Sequence, residues 1–309
     1  MHPVLRRDFL RMAALPALAA GQPASNRFVS FGIGTYGMRS LKIDQALRII
    51  AEIGYDCVDL ALLPDGPADP AQLGATDRRE LSKLFRDQGL VLASMMESLR
   101  LGGGPEEMSQ HLERLKRAIG LGHDLAPGNP PFVQTVLGLA TADWDSYKSR
   151  MVDELRGWAK VAEDGNTTIC FKPHTGQAAN TPERAIWLVR KVGSRRLRIL
   201  YDYSHMHLAG RPLEGSLRQV LPDLGFIHVK DSRGSAEHPE FLLPGDGDTN
   251  YEEYFRLLKK LNYRGYIIAE VSVMIQQKVG YEPVQAARLC YERLAPVFVK
   301  AGLRRTLRA

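Results

Sequence analysis

The sequence predicts an α/β protein with a single (β/α)₈ barrel domain, the TIM-barrel architecture. After Arg27, short apolar runs rich in β-branched residues alternate with longer amphipathic runs, as repeated strand–helix units require. Eight runs of each kind can be counted. The length of 309 residues fits one barrel of about 250 residues with a leader, so no second domain is needed.

The predicted strands are short apolar segments, and the predicted helices repeat apolar residues every three or four positions. In the first helix, Leu47, Ile50 and Ala51 lie on one face. The predicted strands cover residues 28–33, 57–62, 91–96, 132–137, 167–174, 197–203, 226–231 and 266–271. The predicted helices cover residues 43–53, 77–88, 105–121, 144–164, 182–192, 213–221, 251–261 and 283–300.

Glycine residues mark the predicted turns from helix to strand. A left-handed residue is needed at these turns, and the candidates are Gly54, Gly89, Gly165, Gly193 and Gly265. Eight strands and eight helices could also form a doubly wound open sheet. The dinucleotide-binding form of that fold has a G-x-G-x-x-G fingerprint between the first strand and its helix, and the sequence there does not supply one. The barrel is therefore favoured.

Most of the positive charge lies at the two ends of the chain. The net charge is +6, and residues 1–20 with the last six residues account for all but about +1 of it. A nearly neutral body lacks a basic groove that could follow phosphates, so no nucleic-acid partner is predicted. We divide the chain into a leader at 1–24, the barrel at 25–302 and a basic C-terminal tail at 303–309.

The leader is typical of a twin-arginine signal peptide. Arg6 and Arg7 precede Phe9-Leu10, and a short apolar stretch then ends in small residues near Ala20. This stretch is too short for a stable membrane anchor. We expect export to the periplasm or another extracytoplasmic compartment. The alternative is an N-terminal extension that contains two arginines by chance.

Polar side chains gather at the ends of the last four predicted strands, where a barrel places its reacting groups. If Asp202, His228 and Glu270 are the inward residues of neighbouring strands, two carboxylates and an imidazole converge. This ligand set suits Mn²⁺, Mg²⁺, Zn²⁺ or Fe²⁺ and leaves positions for substrate oxygens. The other polar residues at these ends are Lys172, His174, His205 and Lys230.

With these motifs, the chain resembles the xylose-isomerase-like TIM-barrel superfamily. This superfamily contains the sugar phosphate isomerase/epimerase family, with ketose 3-epimerases and endonuclease IV as distant relatives. The resemblance covers about residues 28–302. It is carried by an Asp-x-x-His at 202–205, a His-x-x-Asp with a nearby Arg at 228–233, a Pro-Gly-Asp-Gly loop at 244–247, and the turn before Glu270.

The resemblance implies roles for individual residues. Asp202, His228 and Glu270 would bind a divalent metal, and Glu270 would also transfer a proton. We interpret the remaining polar residues as substrate-binding residues, namely His174, His205, Lys230 and Arg233.

One position departs from the family pattern. Lys172 stands where the family has the strand-five Glu that is its fourth metal ligand. A protonated lysine cannot bind a cation, and a metal beside it would lower its pKa. Three hypotheses follow. The first is a metal site with three protein ligands in which Lys172 or His174 takes over proton transfer, with Glu270 as the other partner. The second is a metal-free site in which Lys172 replaces the cation, and the third is a sugar-binding barrel without catalysis.

The first hypothesis predicts an exported sugar isomerase or epimerase. It would use a divalent metal and move a proton at a carbon next to a carbonyl of a small-molecule carbohydrate. The same site also suits a lyase or hydratase of oxidised keto-sugars. A multi-zinc nuclease is not favoured, because the strand ends before Lys172 supply no histidines. The sequence does not indicate an oligomeric state.

Overall fold

The computed structural model of the protein describes residues 29–305. Within this range, eight parallel strands form a closed barrel surrounded by helices, which confirms the predicted (β/α)₈ fold. The predicted signal peptide at 1–24 and the last residues of the predicted tail lie outside the described part of the chain. No helix between residues 29 and 305 is long and apolar enough to cross a membrane.

Around the barrel, the strands follow their order in the chain, and the last one pairs with the first. The barrel strands are β1 (Val29–Gly34), β2 (Cys57–Ala61), β3 (Val91–Met96), β4 (Phe132–Val136), β5 (Ile169–Lys172), β6 (Leu197–Asp202), β7 (Leu224–Val229) and β10 (Gly265–Ala269). Between β7 and β10 lies an antiparallel hairpin of β8 (Asp231–Gly234) and β9 (Pro239–Leu242).

The helices pack outside the strands. Their bounds are α1 (Ile43–Ile53), α2 (Ala75–Asp87), α3 (Pro105–Leu125), α4 (Trp144–Asp164), α5 (Pro182–Val192), α6 (Tyr203–Leu208), α7 (Leu213–Val220), α8 (Tyr251–Lys260), α9 (Val273–Gln276) and α10 (Pro283–Ala301). The short helices α6 and α9 and the hairpin were not predicted. Each of these elements follows a strand at the end of the barrel that carries the predicted site.

The strands β5 and β7 each end two residues earlier than predicted, for identifiable reasons. β5 ends at Lys172 because Pro173 has no N–H to continue the ladder. β7 ends at Val229 because the chain turns into the hairpin at Asp231. The Asp231 carboxylate accepts hydrogen bonds from backbone N–H groups on both sides of the hairpin, among them those of Ser232 and Gly245, each at 3.0 Å.

The predicted left-handed turns are present at all but one of the five glycines. Gly54 and Gly193, for example, have φ values of 110° and 72°. Gly165 was predicted wrongly, since its φ is −87°. Asn166, the next residue, takes the left-handed conformation instead, with a φ of 47°. Asn is one of the few residues that tolerate this conformation.

The start of the predicted basic tail lies against the N-terminal end of the barrel. Arg305 forms a bridge with Val29 at the start of β1, and its guanidinium pairs with Asp56 at 3.0 Å. The same guanidinium lies 5.4 Å from the centre of the Phe31 ring, within the range of a cation–π contact. Arg305 thus holds the end of the chain against the barrel.

Candidate active site

The strand period places the polar side chains of the site directly above an apolar layer of the barrel interior. Side chains two positions apart on a strand point to the same face. Each polar residue therefore follows, two positions later, a buried apolar residue of the interior layer. The pairs are Cys170 and Lys172 from β5, Leu200 and Asp202 from β6, Phe226 and His228 from β7, and Ile268 and Glu270 from β10.

The structure brings Asp202, His228 and Glu270 together. One side-chain oxygen or nitrogen atom of each residue lies within 4.8 Å of those of the other two. The Lys172 ammonium stands among these three atoms. Its Nζ lies 3.1 Å from Asp202 Oδ2, 3.1 Å from His228 Nδ1 and 2.5 Å from Glu270 Oε2. Its three N–H groups can therefore each have an acceptor from the candidate ligand set.

Lys230 provides a second ammonium at the same carboxylates. Its Nζ lies 2.5 Å from Asp202 Oδ2 and 2.7 Å from Glu270 Oε2, and 3.2 Å from His205 Nε2. The Phe241 ring of the hairpin covers this ammonium, with 4.8 Å between Nζ and the ring centre. Both lysines thus bridge the same two carboxylate oxygens.

We refer to Lys172, Asp202, His228, Lys230 and Glu270 as the lysine–carboxylate cluster. With a neutral imidazole, two ammoniums and two carboxylates have no net charge. The side chains of both lysines are 3 % exposed and that of Asp202 is fully buried, whereas the Glu270 side chain is 15 % exposed. Glu270 is therefore the charged member that a molecule entering the barrel can reach most easily.

The electrostatics of the cluster favour the ionised forms of Glu270, Asp202 and Lys172. Burial raises the pKa of Glu270, but the ammoniums of Lys172 and Lys230 outweigh burial and hold the pKa well below its usual range. The pKa of Asp202 is lowered in the same way against burial, with Lys230 as the stronger influence. Burial lowers the pKa of Lys172, but Glu270 and Asp202 raise it further, so the net direction is upward. A metal beside Lys172 was expected to lower its pKa. Here the surrounding carboxylates raise the pKa instead.

A second buried carboxylate holds His228 from the other side. His228 Nε2 lies 3.7 Å from Asp59 Oδ2 of β2 and has no hydrogen-bond partner within residues 29–305. Asp59 itself accepts hydrogen bonds from Ser94 Oγ at 2.7 Å and Gln134 Nε2 at 3.1 Å. Since Lys172 can only donate to His228 Nδ1, the ring proton belongs on Nε2, where it faces Asp59.

His205 lies beneath the site rather than at its surface. The residue is fully buried, and its Nε2 lies 3.2 Å from Lys230 Nζ. Its Nδ1 accepts a hydrogen bond from the backbone N–H of Thr175 at 3.2 Å and lies at the same distance from Thr175 Oγ1. In this arrangement His205 orients Lys230, and its contact with a substrate stays a prediction.

His174 packs against His205 nearer the solvent. The two ring centres are 4.1 Å apart, and His174 is half-buried. Burial lowers the pKa of His174 to about 4, with further lowering by the ammoniums of Lys230 and Lys172. The imidazole is therefore neutral at neutral pH. Its Nδ1 lies 2.8 Å from the carbonyl oxygen of Thr175, to which it donates.

Arg233 is not brought into contact with the lysine–carboxylate cluster. It lies on β8 with an exposed side chain, and it donates to the carbonyl oxygen of Asp246 at 2.8 Å. Its ionic contacts, with Glu240 at 4.0 Å and Asp248 at 3.8 Å, also belong to the hairpin and the loop after it.

A divalent cation does not fit the cluster in this arrangement. A cation bound by Asp202, His228 and Glu270 together would lie where the Lys172 ammonium stands, within 3.1 Å of all three atoms. It would also give the neutral cluster a net charge of +2, of which the nearby Asp59 carboxylate could offset at most one, and an uncompensated buried charge is costly. The three predicted ligands therefore converge on a place that a side chain fills.

The sequence analysis missed several residues that shape the site. Asp59 could have been recognised as a site residue from the sequence, since it is a charged residue within an apolar strand. The indication for Ser94 and Gln134 is weaker, because they are uncharged polar residues in otherwise apolar predicted strands. Nothing in the sequence indicated a role for Phe241, because the hairpin that carries it was not predicted.

Comparison with known proteins is consistent with this architecture. Residues 47–288 match the xylose isomerase-like TIM barrel family. The chain is 25 % identical over 253 residues to a D-psicose 3-epimerase from Enterocloster bolteae, covering 75 % of this chain and 78 % of the relative. It is 21 % identical over 287 residues to an inosose dehydratase from Geobacillus kaustophilus, covering 83 % of this chain and 86 % of the relative.

A solved structure shares the fold at low sequence identity. The IOLI protein, whose crystal structure contains a zinc atom, superimposes with a TM-score of 0.74 at 17 % identity. The superposition covers 88 % of this chain and 99 % of that one. From the sequence match over most of its length and the closed barrel, the chain belongs to the xylose isomerase-like TIM barrel family.

Proposed function

We propose that the protein is a sugar isomerase or epimerase that moves a proton at a carbon next to a carbonyl of a sugar or keto-sugar. One observation carries this proposal. The Glu270 carboxylate, the most exposed charged member of the cluster, stands directly beside the ammoniums of Lys172 and Lys230. A base and two cationic donors thus lie side by side at the mouth of a barrel.

The chemistry follows from this arrangement. Glu270 takes the proton from the carbon next to the carbonyl, and the electron pair of the broken C–H bond forms a C=C bond. The π electrons of the carbonyl move to its oxygen. Once Glu270 is protonated, Lys172 or Lys230 can turn the N–H that it donated to Glu270 toward that oxygen, which stabilises the negative charge. Return of the proton from Glu270 to the neighbouring carbon, with transfer of the hydroxyl proton between the two oxygens, gives the isomer. Protonation of the same carbon on its other face by a solvent water, whose hydroxide then takes the proton from Glu270, gives the epimer.

The family relationship supports this function class. Its relatives include an epimerase and a dehydratase that act on small polyhydroxylated molecules, according to their names. The finer prediction of a divalent metal as cofactor stays a prediction, and none of the steps above depends on one. A sugar-binding barrel without catalysis is the alternative that the experiment below separates.

Elimination of water from a keto-sugar is a second candidate, and the asymmetry of the site favours it. Lys172 stands where the family resemblance implies a second carboxylate, so within residues 29–305 no carboxylate at the end of β5 matches Glu270. Epimerisation by two bases needs such a pair, whereas elimination needs one base and stabilisation of the oxyanion. An inosose dehydratase is among the relatives.

Exchange of substrate hydrogen with deuterium from the solvent tests both candidates. A panel of ketoses, keto-sugars and keto-inositols is incubated with the protein in D₂O, and deuterium incorporation and loss of water are followed by NMR. We expect incorporation next to a carbonyl in at least one compound. Glu270→Gln should slow it by about a hundredfold or more. Absence of exchange and elimination across the panel would leave a binding function.

A matched control separates loss of the base from a general effect of the substitution. Glu282 is exposed and lies directly before α10. Its side chain makes no capping hydrogen bond to that helix. Glu282→Gln makes the same chemical change outside the cluster, so it should keep the exchange rate of the wild type. Equal loss in both variants would contradict the role of Glu270.

We also propose that residues 1–24 direct export through the twin-arginine route. Support comes from the paired Arg6 and Arg7 and the short apolar stretch that follows them. The substrate would then be a carbohydrate outside the cytoplasm.

A further inference from the structure

We propose that the lysine–carboxylate cluster works without a divalent metal, and that the ammoniums of Lys172 and Lys230 take the place of the cation. This inference rests on the proposed function, because it names what stabilises the oxyanion in that reaction. It departs from what the fold would suggest, since a related barrel contains zinc. Position, charge and hydrogen bonding of the two lysines each support it.

The first argument is position. A metal bound by Asp202, His228 and Glu270 must lie close to all three of their ligand atoms. Lys172 Nζ does so, at 3.1, 3.1 and 2.5 Å, and it extends from the end of β5, where the sequence pattern has its fourth ligand. The lysine thus replaces one ligand and fills the place of the cation at the same time.

The second argument is charge. A divalent cation, two carboxylates and a neutral imidazole would be neutral together. Two ammoniums, two carboxylates and a neutral imidazole are neutral as well, and Lys172 and Lys230 are both almost completely buried. Adding a divalent cation would give these five side chains a net charge of +2, of which the Asp59 carboxylate beside His228 could offset at most one, unless the lysines lost protons.

The third argument is the way the carboxylates are held. A bound metal would fix Asp202 and Glu270 relative to each other by binding both. Here each ammonium does this, because Lys172 and Lys230 both donate to Asp202 Oδ2 and to Glu270 Oε2. His205 and the Phe241 ring fix Lys230 from the far side. The site is therefore preorganised by its own side chains.

Metal analysis of the wild type and of Lys172→Glu tests the inference. Both proteins are produced with Mn²⁺, Zn²⁺ and Fe²⁺ in the medium, dialysed, and measured for metal content by mass spectrometry. Thermal stability is then recorded with and without a chelator, and Mn²⁺ is titrated into the chelated protein. We expect the wild type to contain little metal and to be indifferent to the chelator.

Lys172→Glu should behave differently. It removes the ammonium and adds a carboxylate to Asp202, His228 and Glu270, which completes a four-ligand set. Its apparent affinity for Mn²⁺ should exceed that of the wild type by about tenfold or more, and Mn²⁺ should raise its melting temperature. The charge-matched control is Lys300→Glu, which changes an exposed lysine at the end of α10, away from the site. This control should bind no more metal than the wild type.

Two results would overturn the inference. One is a wild type that retains stoichiometric metal and loses thermal stability on chelation, and this result needs no variant to fold. The other is a folded Lys172→Glu variant that gains no affinity for Mn²⁺, because Lys172 would then not stand at the cation position. Failure of the proposed function has another signature, namely absence of deuterium exchange at any metal content.

Discussion

Replacing Lys172 by Met should destabilise the protein strongly. Methionine keeps much of the length and apolar character of the lysine stem but removes the ammonium, so that Lys230 alone faces Asp202 and Glu270. One buried carboxylate is then uncompensated. Removing one partner of a buried ion pair costs about 3–5 kcal/mol of unfolding free energy. For a barrel of this size, that corresponds to a fall in melting temperature of about 5–9 °C.

The assay is urea unfolding at neutral pH, followed by far-ultraviolet circular dichroism. The double variant Lys172→Met/Glu270→Gln removes the uncompensated charge as well, so it should recover a large part of the lost stability. Lys300→Met, the control at an exposed position, should stay within about 0.5 kcal/mol of the wild type. A Lys172→Met variant as stable as the wild type would refute the reasoning. So would a double variant no more stable than the single one.

Two further predictions concern pH and export. The pKa of His174 in the folded protein is about 4, below its unfolded value of about 6.5, so stability should fall as the pH drops from about 6.5 to 4. In urea unfolding, His174→Gln should weaken the dependence of stability on pH. Part of the dependence should remain, because the pKa of His205 is lowered as well. A pH dependence identical to that of the wild type would argue against the lowered pKa of His174. Changing Arg6 and Arg7 together to Lys should block periplasmic accumulation, and normal accumulation would refute the twin-arginine proposal.

The barrel was predictable from the sequence because its strands and helices have different periods and glycines punctuate them. The hairpin of β8 and β9 was not, because it depends on Asp231, whose carboxylate collects backbone N–H groups that are distant in the chain, such as that of Thr249 at 3.1 Å. Gly165 was misassigned because a neighbouring Asn takes the left-handed position equally well.

The members of the site were predictable, but their arrangement was not. Strand ends and the strand period suffice to suggest that Asp202, His228 and Glu270 converge. The position of the Lys172 ammonium depends on a long side chain with several rotatable bonds, and its neighbours decide where it points. The same holds for Lys230, which was predicted as a substrate contact but bridges two carboxylates. Arg233 lies in the hairpin and donates to the Asp246 carbonyl oxygen, and its contact with a substrate stays a prediction.

The central claim is that a neutral cluster with two lysines transfers a substrate proton without a divalent metal. The most direct test is the rate of deuterium incorporation into a compound that the panel identifies, measured on protein before and after chelation with its metal content known. The account predicts the same rate in both samples, and no increase when Mn²⁺, Mg²⁺, Zn²⁺ or Fe²⁺ is added back. An exchange rate that is lost on chelation and restored by one of these metals would contradict it.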